Sequence, residues 1–155
     1  NALEFSDYVK TTIPPVKNKE HIFGNQYIMN DADEILGSFD LLLTTASGIS
    51  IEILDELMRD YGGIWYPAHI DRNSYSVISA LGDFPESLET PVFELTYDAD
   101  EKAYREKYPT LENRFLVRSS DAHYLERLMT EKCEIELTEN SAKALIEKLR
   151  NIPKL

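Results

Sequence analysis

Cysteine is nearly absent: Cys133 is the only one in 155 residues, so no internal disulfide can form. That excludes a disulfide-stapled scaffold and fits a reducing compartment, most simply the cytoplasm. Long hydrophobic runs are missing too, and no apolar stretch approaches the ~18 residues of a membrane span. The opening Asn1-Ala2-Leu3-Glu4-Phe5 lacks the basic region and apolar stretch of a signal peptide, and it lacks an initiator Met. Residues 1–2 are read as the remnant of a removed tag, and 3–155 as one domain whose natural chain begins further upstream. No block of Lys and Arg is present and the net charge is −12, so nucleic acid is not an expected partner. The acidity reads as a solubilising surface, with a share of the carboxylates available to gather around cations. There is no Gly-rich phosphate loop, no repeat and no low-complexity segment.

What is present is a regular alternation of apolar patterns. Leu3 to Thr12 reads as a helix with Phe5, Tyr8 and Val9 on one face, stopped by Ile13-Pro14-Pro15. Gln26 to Leu43 reads as two strands around the polar tip Asn30-Asp31-Ala32-Asp33, a hairpin insert spanning residues 24–45. From Ser50 a helix is predicted through Ile51, Leu54, Leu57, Met58 and Tyr61, ended by Gly62 and Gly63. Strands are then expected at Ile64-Trp65-Tyr66, Pro91–Tyr97, Phe115–Arg118 and Cys133–Leu137. Helices are expected at Ser74–Leu81, Asp100–Tyr108 and Asn140–Asn151. This alternation argues for an α/β fold with a largely parallel sheet. Only about four strand–helix units are present, where a closed eight-fold barrel takes ~250 residues. Half a barrel or an open sheet is therefore expected.

Of the three histidines, His69 and His123 lie just past predicted strands, where α/β folds collect ligand-binding side chains. Asp121 and His123 stand at i and i+2, a spacing that points both to one side if the backbone is extended. Histidine and aspartate ligate borderline metals such as Zn, Mn or Fe, and a fourth position could hold a water activated as nucleophile. Taken alone the pattern is short, and a histidine after a strand is often a hydrogen-bonded loop residue.

Two segments carry a resemblance. Pro67-Ala68-His69-Ile70-Asp71-Arg72-Asn73-Ser74-Tyr75-Ser76 resembles the histidine segment of the PHP (polymerase and histidinol phosphatase) domain family. Arg118-Ser119-Ser120-Asp121-Ala122-His123-Tyr124-Leu125 resembles that family's last metal motif, Asp-x-His. Leu81-Gly82-Asp83-Phe84-Pro85 and Phe93-Glu94-Leu95 fall where such proteins carry similar residues, and the resemblance runs from about Ile22 to Leu137. It implies part of a distorted β/α barrel, hydrolysis of a small phosphate ester, and His69, Asp121 and His123 as ligands of a divalent metal. The family's opening motifs, His-x-His and Thr-Asp-His, do not occur, and His21 matches neither. The chain is therefore expected to be the C-terminal part of such a phosphoesterase, inactive without its N-terminal half. The other account of the missing motifs is a natural PHP-like protein that has lost them; a separate reading is a non-catalytic module that uses the barrel remnant for binding, its strand edges, exposed by the missing half-barrel, favouring a homodimer.

Other candidates weigh less. Arg72 could meet a substrate phosphate with its forked donors or simply form a surface ion pair. Ser74 reads as a helix cap. Ser119 and Ser120 adjoin Asp121 and His123, but no Gly-x-Ser-x-Gly elbow accompanies them. Asp31-Ala32-Asp33 and Asp98-Ala99-Asp100 begin like calcium loops, yet Leu36 and Ala103 replace the glycine such a turn needs. His21 reads as an exposed loop residue.

Overall fold

The computed structural model describes residues 2–128 and 133–152. Asn1, half of the expected remnant, lies outside them, and Ala2 opens the first helix. The chain divides into two compact units, residues 1–53 and 54–155.

In the first unit, α1 (Ala2–Thr12) half-buries Phe5, Tyr8 and Val9, the stripe its spacing predicts. α2 (Glu20–Phe23) is a single turn that places His21 in exposed helix rather than loop. β1 (Tyr27–Met29) and β2 (Ile35–Ser38) form the expected antiparallel hairpin. Its turn is built by Asn30, whose Oδ1 accepts from the N–H of Ala32 (3.0 Å) and of Glu34 (2.9 Å). Every residue of both strands is exposed, including Tyr27, Ile28, Met29, Ile35 and Leu36. Gln26 ties down the returning chain by donating to the carbonyls of Phe39 and Leu41 and accepting from Leu43 N–H.

The helix expected from Ser50 is divided. Residues Ile51–Ile53 form a 3-10 turn, and α3 occupies Leu54–Asp60. In the second unit α3 is followed by α4 (Val77–Leu81), β3 (Val92–Thr96), α5 (Glu101–Lys107), β4 (Phe115–Ser119) and α6 (Ala142–Arg150). β3 and β4 pair in parallel, from Val92 opposite Phe115 to Thr96 opposite Ser119. Val92, Phe93, Leu95 and Thr96 are buried, as befits a parallel strand covered on both faces. Phe84 meets Phe93 edge-on at 5.1 Å and Tyr108 at 5.4 Å, and Ile70 and Leu111 close this core.

The protein is thus mixed α/β, with helices and two small sheets and no closed barrel among the described residues. Two expected strands are not formed. Residues 64–66 are not a regular strand, but the chain just beyond them follows β3. Glu94 N–H donates to the Pro67 carbonyl (3.0 Å), and Ile70 N–H donates to the Glu94 carbonyl (2.9 Å). The sense is parallel, but two residues, Ala68 and His69, lie between the two partners of Glu94 where a regular ladder has one. Together with Pro67, which has no N–H to give, this extra residue interrupts the ladder. Residues 133–137 keep the alternation that suggested a strand, with Ile135 and Leu137 half-buried between exposed glutamates, but find no ladder partner among the described residues. α4 starts later than expected because Ser76, not Ser74, is its cap: Ser76 Oγ accepts from Ser79 N–H while Ser79 Oγ accepts from Ser76 N–H.

Candidate functional site

Two loops leave neighbouring parallel segments at the same end of β3 and β4. The first, His69 to Ser76, is fastened by Asp71. One carboxylate oxygen of Asp71 accepts from Thr96 N–H (2.8 Å) and the other from the Thr96 hydroxyl. Inside this loop Arg72 N–H donates to the His69 carbonyl (2.9 Å), and the Ser76 hydroxyl donates to the Arg72 carbonyl (2.7 Å). The second loop continues from Ser119, whose hydroxyl donates to Glu94 Oε1 (2.7 Å) and so links β4 to β3 through side chains.

His69, Arg72, Asp121 and His123, the four residues singled out from sequence, line one cleft of about 560 Å³. Ser74, Tyr75, Tyr124 and Arg127 complete its wall. Among the described residues, four non-glycine residues adopt positive φ, and three of them are in this wall: His69 (32°), Tyr75 (58°) and Asp121 (48°). Such backbone costs of order 1–3 kcal/mol per residue and gathers where a site demands it.

The geometry corrects the route by which Asp121 and His123 meet. The positive φ at Asp121 breaks the extended backbone that an i, i+2 argument requires. Instead His123 Nδ1 lies 2.9 Å from the Asp121 carbonyl oxygen. A carbonyl only accepts, so Nδ1 carries the proton and Nε2 keeps its lone pair for a metal or a proton. The His69 ring offers a second nitrogen: its Nδ1 is buried without a hydrogen-bond partner among the described residues. Asp121 is already engaged, with one oxygen 3.4 Å from Arg72 Nε.

The donor types suit Zn, Mn or Fe, and the orphaned His69 nitrogen fits a metal ligand. The three side chains share a cleft without converging: among the described residues no group of three His, Cys, Asp or Glu side chains is close enough to hold one ion. A cation at Asp121 would compete there with Arg72.

Sequence reasoning missed Asp71, Glu94 and Arg127. Asp71 lay inside the quoted histidine segment, but its bond to Thr96 joins residues far apart in the chain. Glu94 lies near Tyr66, whose hydroxyl is pushed up by burial first and then by the charges of Glu94 and Cys133. Arg127 sits in a 3-10 turn, Leu125–Arg127, that no periodicity announced. His21 lies in the first unit and is exposed. Comparison with protein-family models, curated proteins and solved structures returns no match.

Proposed function

We propose that this chain is the C-terminal share of a PHP-type, metal-dependent phosphoesterase, with His69, Asp121 and His123 as its contribution to a divalent-metal site. The observation that carries this reading is that both family-like segments, strained at His69 and at Asp121, line one cleft at the ends of parallel strands. On this reading β3, β4 and the chain at 64–70 are consecutive staves of the distorted barrel. The other ligands come from the family's opening motifs, which this sequence lacks. A divalent metal held by His69, Asp121 and His123 would supply activation of water at neutral pH and stabilisation of the charge on the phosphoryl group. The residues in hand orient it: the Asp121 carbonyl holds the His123 tautomer, and Asp71 anchors the His69 loop. The substrate is a small phosphate ester, and the lone, exposed Cys133 suits a cytoplasmic setting. No helix among the described residues is long and apolar enough to cross a membrane.

Three ligands are too few for a multinuclear centre, so these 155 residues are expected to bind Zn²⁺ or Mn²⁺ weakly and to hydrolyse phosphate esters barely, if at all. Metal analysis and calorimetric titration test the site. His69→Ala and Asp121→Ala should each weaken Zn²⁺ binding at least ~10-fold, the scale set by losing a supporting or ligating group. Binding that ignores both substitutions would remove the assignment, and robust metal-dependent turnover by this chain would remove the view that it is only a share.

A second reading, a non-catalytic module that self-associates, is favoured by the hairpin, whose two strands expose every residue and whose outer edges pair with no further strand among the described residues. Molecular mass in solution across a concentration series decides it: a strict monomer argues against it.

A further inference from the structure

The cleft that holds His69, Asp121 and His123 adjoins a larger one of about 770 Å³, and Arg72, Ser74 and Arg127 line both. Two arginines therefore line the junction of the clefts, in a chain of net charge −12. Most of the protein's arginines are consumed by structure. Arg105, Arg114, Arg118 and Arg150 donate to backbone carbonyls, and Arg59 faces Glu89 at 3.8 Å. Arg72 uses only Nε, toward Asp121, and its two terminal nitrogens have no acceptor among the described residues. Of the seven arginines, Arg127 alone has no side-chain hydrogen bond or ion pair among the described residues, and it is exposed at the mouth.

We propose that Arg127 and Arg72 form a two-arginine clamp for the phosphate of the ester, with the Ser74 hydroxyl as a third donor. Guanidinium forks match phosphate oxygens in pairs: the two terminal nitrogens of Arg72, which is held only through Nε, can take one pair and Arg127 a second. With phosphate at the junction, the metal-type residues lie on one side and the alcohol portion enters the larger cleft. There Asp71 is occupied by Thr96, while Asn73 and Asp98 offer hydrogen-bonding groups. The alcohol is thus polar and carries hydrogen-bond donors.

The phosphoester class rests on the proposed function, so the test separates anion from metal. The 155-residue chain, freed of metal by chelator, is titrated with inorganic phosphate, and separately with Zn²⁺. Phosphate should bind, and Arg127→Ala should weaken it about tenfold, with Arg127→Lys recovering only part because the fork is lost. Zn²⁺ uptake and the far-ultraviolet circular dichroism should stay at wild-type levels in both variants. Absence of phosphate binding in the wild type, or unchanged binding in Arg127→Ala, overturns the clamp whatever the metal does. Phosphate binding that depends on Arg127 in a protein that takes up no Zn²⁺ supports the clamp and removes the metal reading. Glycerol 3-phosphate should bind more tightly than phenyl phosphate; the reverse order overturns the assignment of the larger cleft.

Discussion

Asp71 satisfies the backbone N–H and the hydroxyl of Thr96 at once, and so fixes the loop carrying His69 and Arg72 to the end of β3. Thr96 is buried, and the bond from its N–H to that carboxylate satisfies a buried donor. Asp71→Ala should therefore cost about 1–3 kcal/mol, the penalty of an unsatisfied buried donor. Asp71→Asn keeps one acceptor oxygen and should lose less. Urea unfolding of the three proteins checks the order. Arg72 Nε faces Asp121, so on the proposed metal reading a cation at Asp121 would free that nitrogen as well for an anion. Metal and phosphate should then assist one another.

At the scale of elements, α5 is held to β4 by charge. Glu101, in the first turn of α5, accepts from Arg105 Nε (2.9 Å) on its own helix and from an Arg118 terminal nitrogen (3.1 Å) on β4. Partial burial pushes its carboxyl up, but the hydrogen bonds and charges of Arg105 and Arg118 outweigh burial and hold it below the usual glutamate range. The folded value is the lower one, so the stabilisation is fully present above the unfolded value of ~4.3 and is lost as pH falls through the folded value. The carboxylate is more than a third exposed, so solvent screens the pair and the effect is small. Glu101→Gln should lower stability at neutral pH by less than about 1 kcal/mol. The gap to wild type should close as pH drops below the glutamate range. Thermal melts of both proteins at neutral and acid pH measure it; a gap that widens in acid would reverse the sign assigned to Glu101.

At the scale of the whole molecule, the two units differ in how they bury apolar surface. Residues 54–155 centre on Val92, Phe93, Leu95, Ile70 and Leu111, all essentially inaccessible. In residues 1–53, Leu42 is the one buried large hydrophobic residue among those described. A lone two-stranded hairpin is marginal in water, and this one exposes Ile28, Met29, Ile35 and Leu36. If the self-association reading holds, the chain sediments as a dimer at high concentration and Ile28→Lys with Ile35→Lys returns it to monomer. A dimer indifferent to both substitutions places the contact elsewhere.

The sequence by itself determined what is local. The Phe5, Tyr8, Val9 stripe, the Asn30 turn, the start of α5 at Asp100 and the apolar runs of β3 and β4 all follow from neighbours within a few residues. Placing His69 and Asp121 after apolar runs was enough to expect them at one end of a sheet. Tertiary structure decided the rest. Ile64-Trp65-Tyr66 carries strand composition, yet the extra residue between Pro67 and Ile70 opposite Glu94 breaks its ladder. Cys133–Leu137 alternates correctly but lacks a partner strand among the described residues, and alternation forms no strand without one. Whether Ser74 or Ser76 caps α4 was settled by the reciprocal bonds with Ser79. Which arginines are free depended on carbonyls up to 92 residues away, as with Arg150 and Met58. Spacing along the chain carries no record of such pairings, because they arise only when the backbone has folded and each donor must find its acceptor.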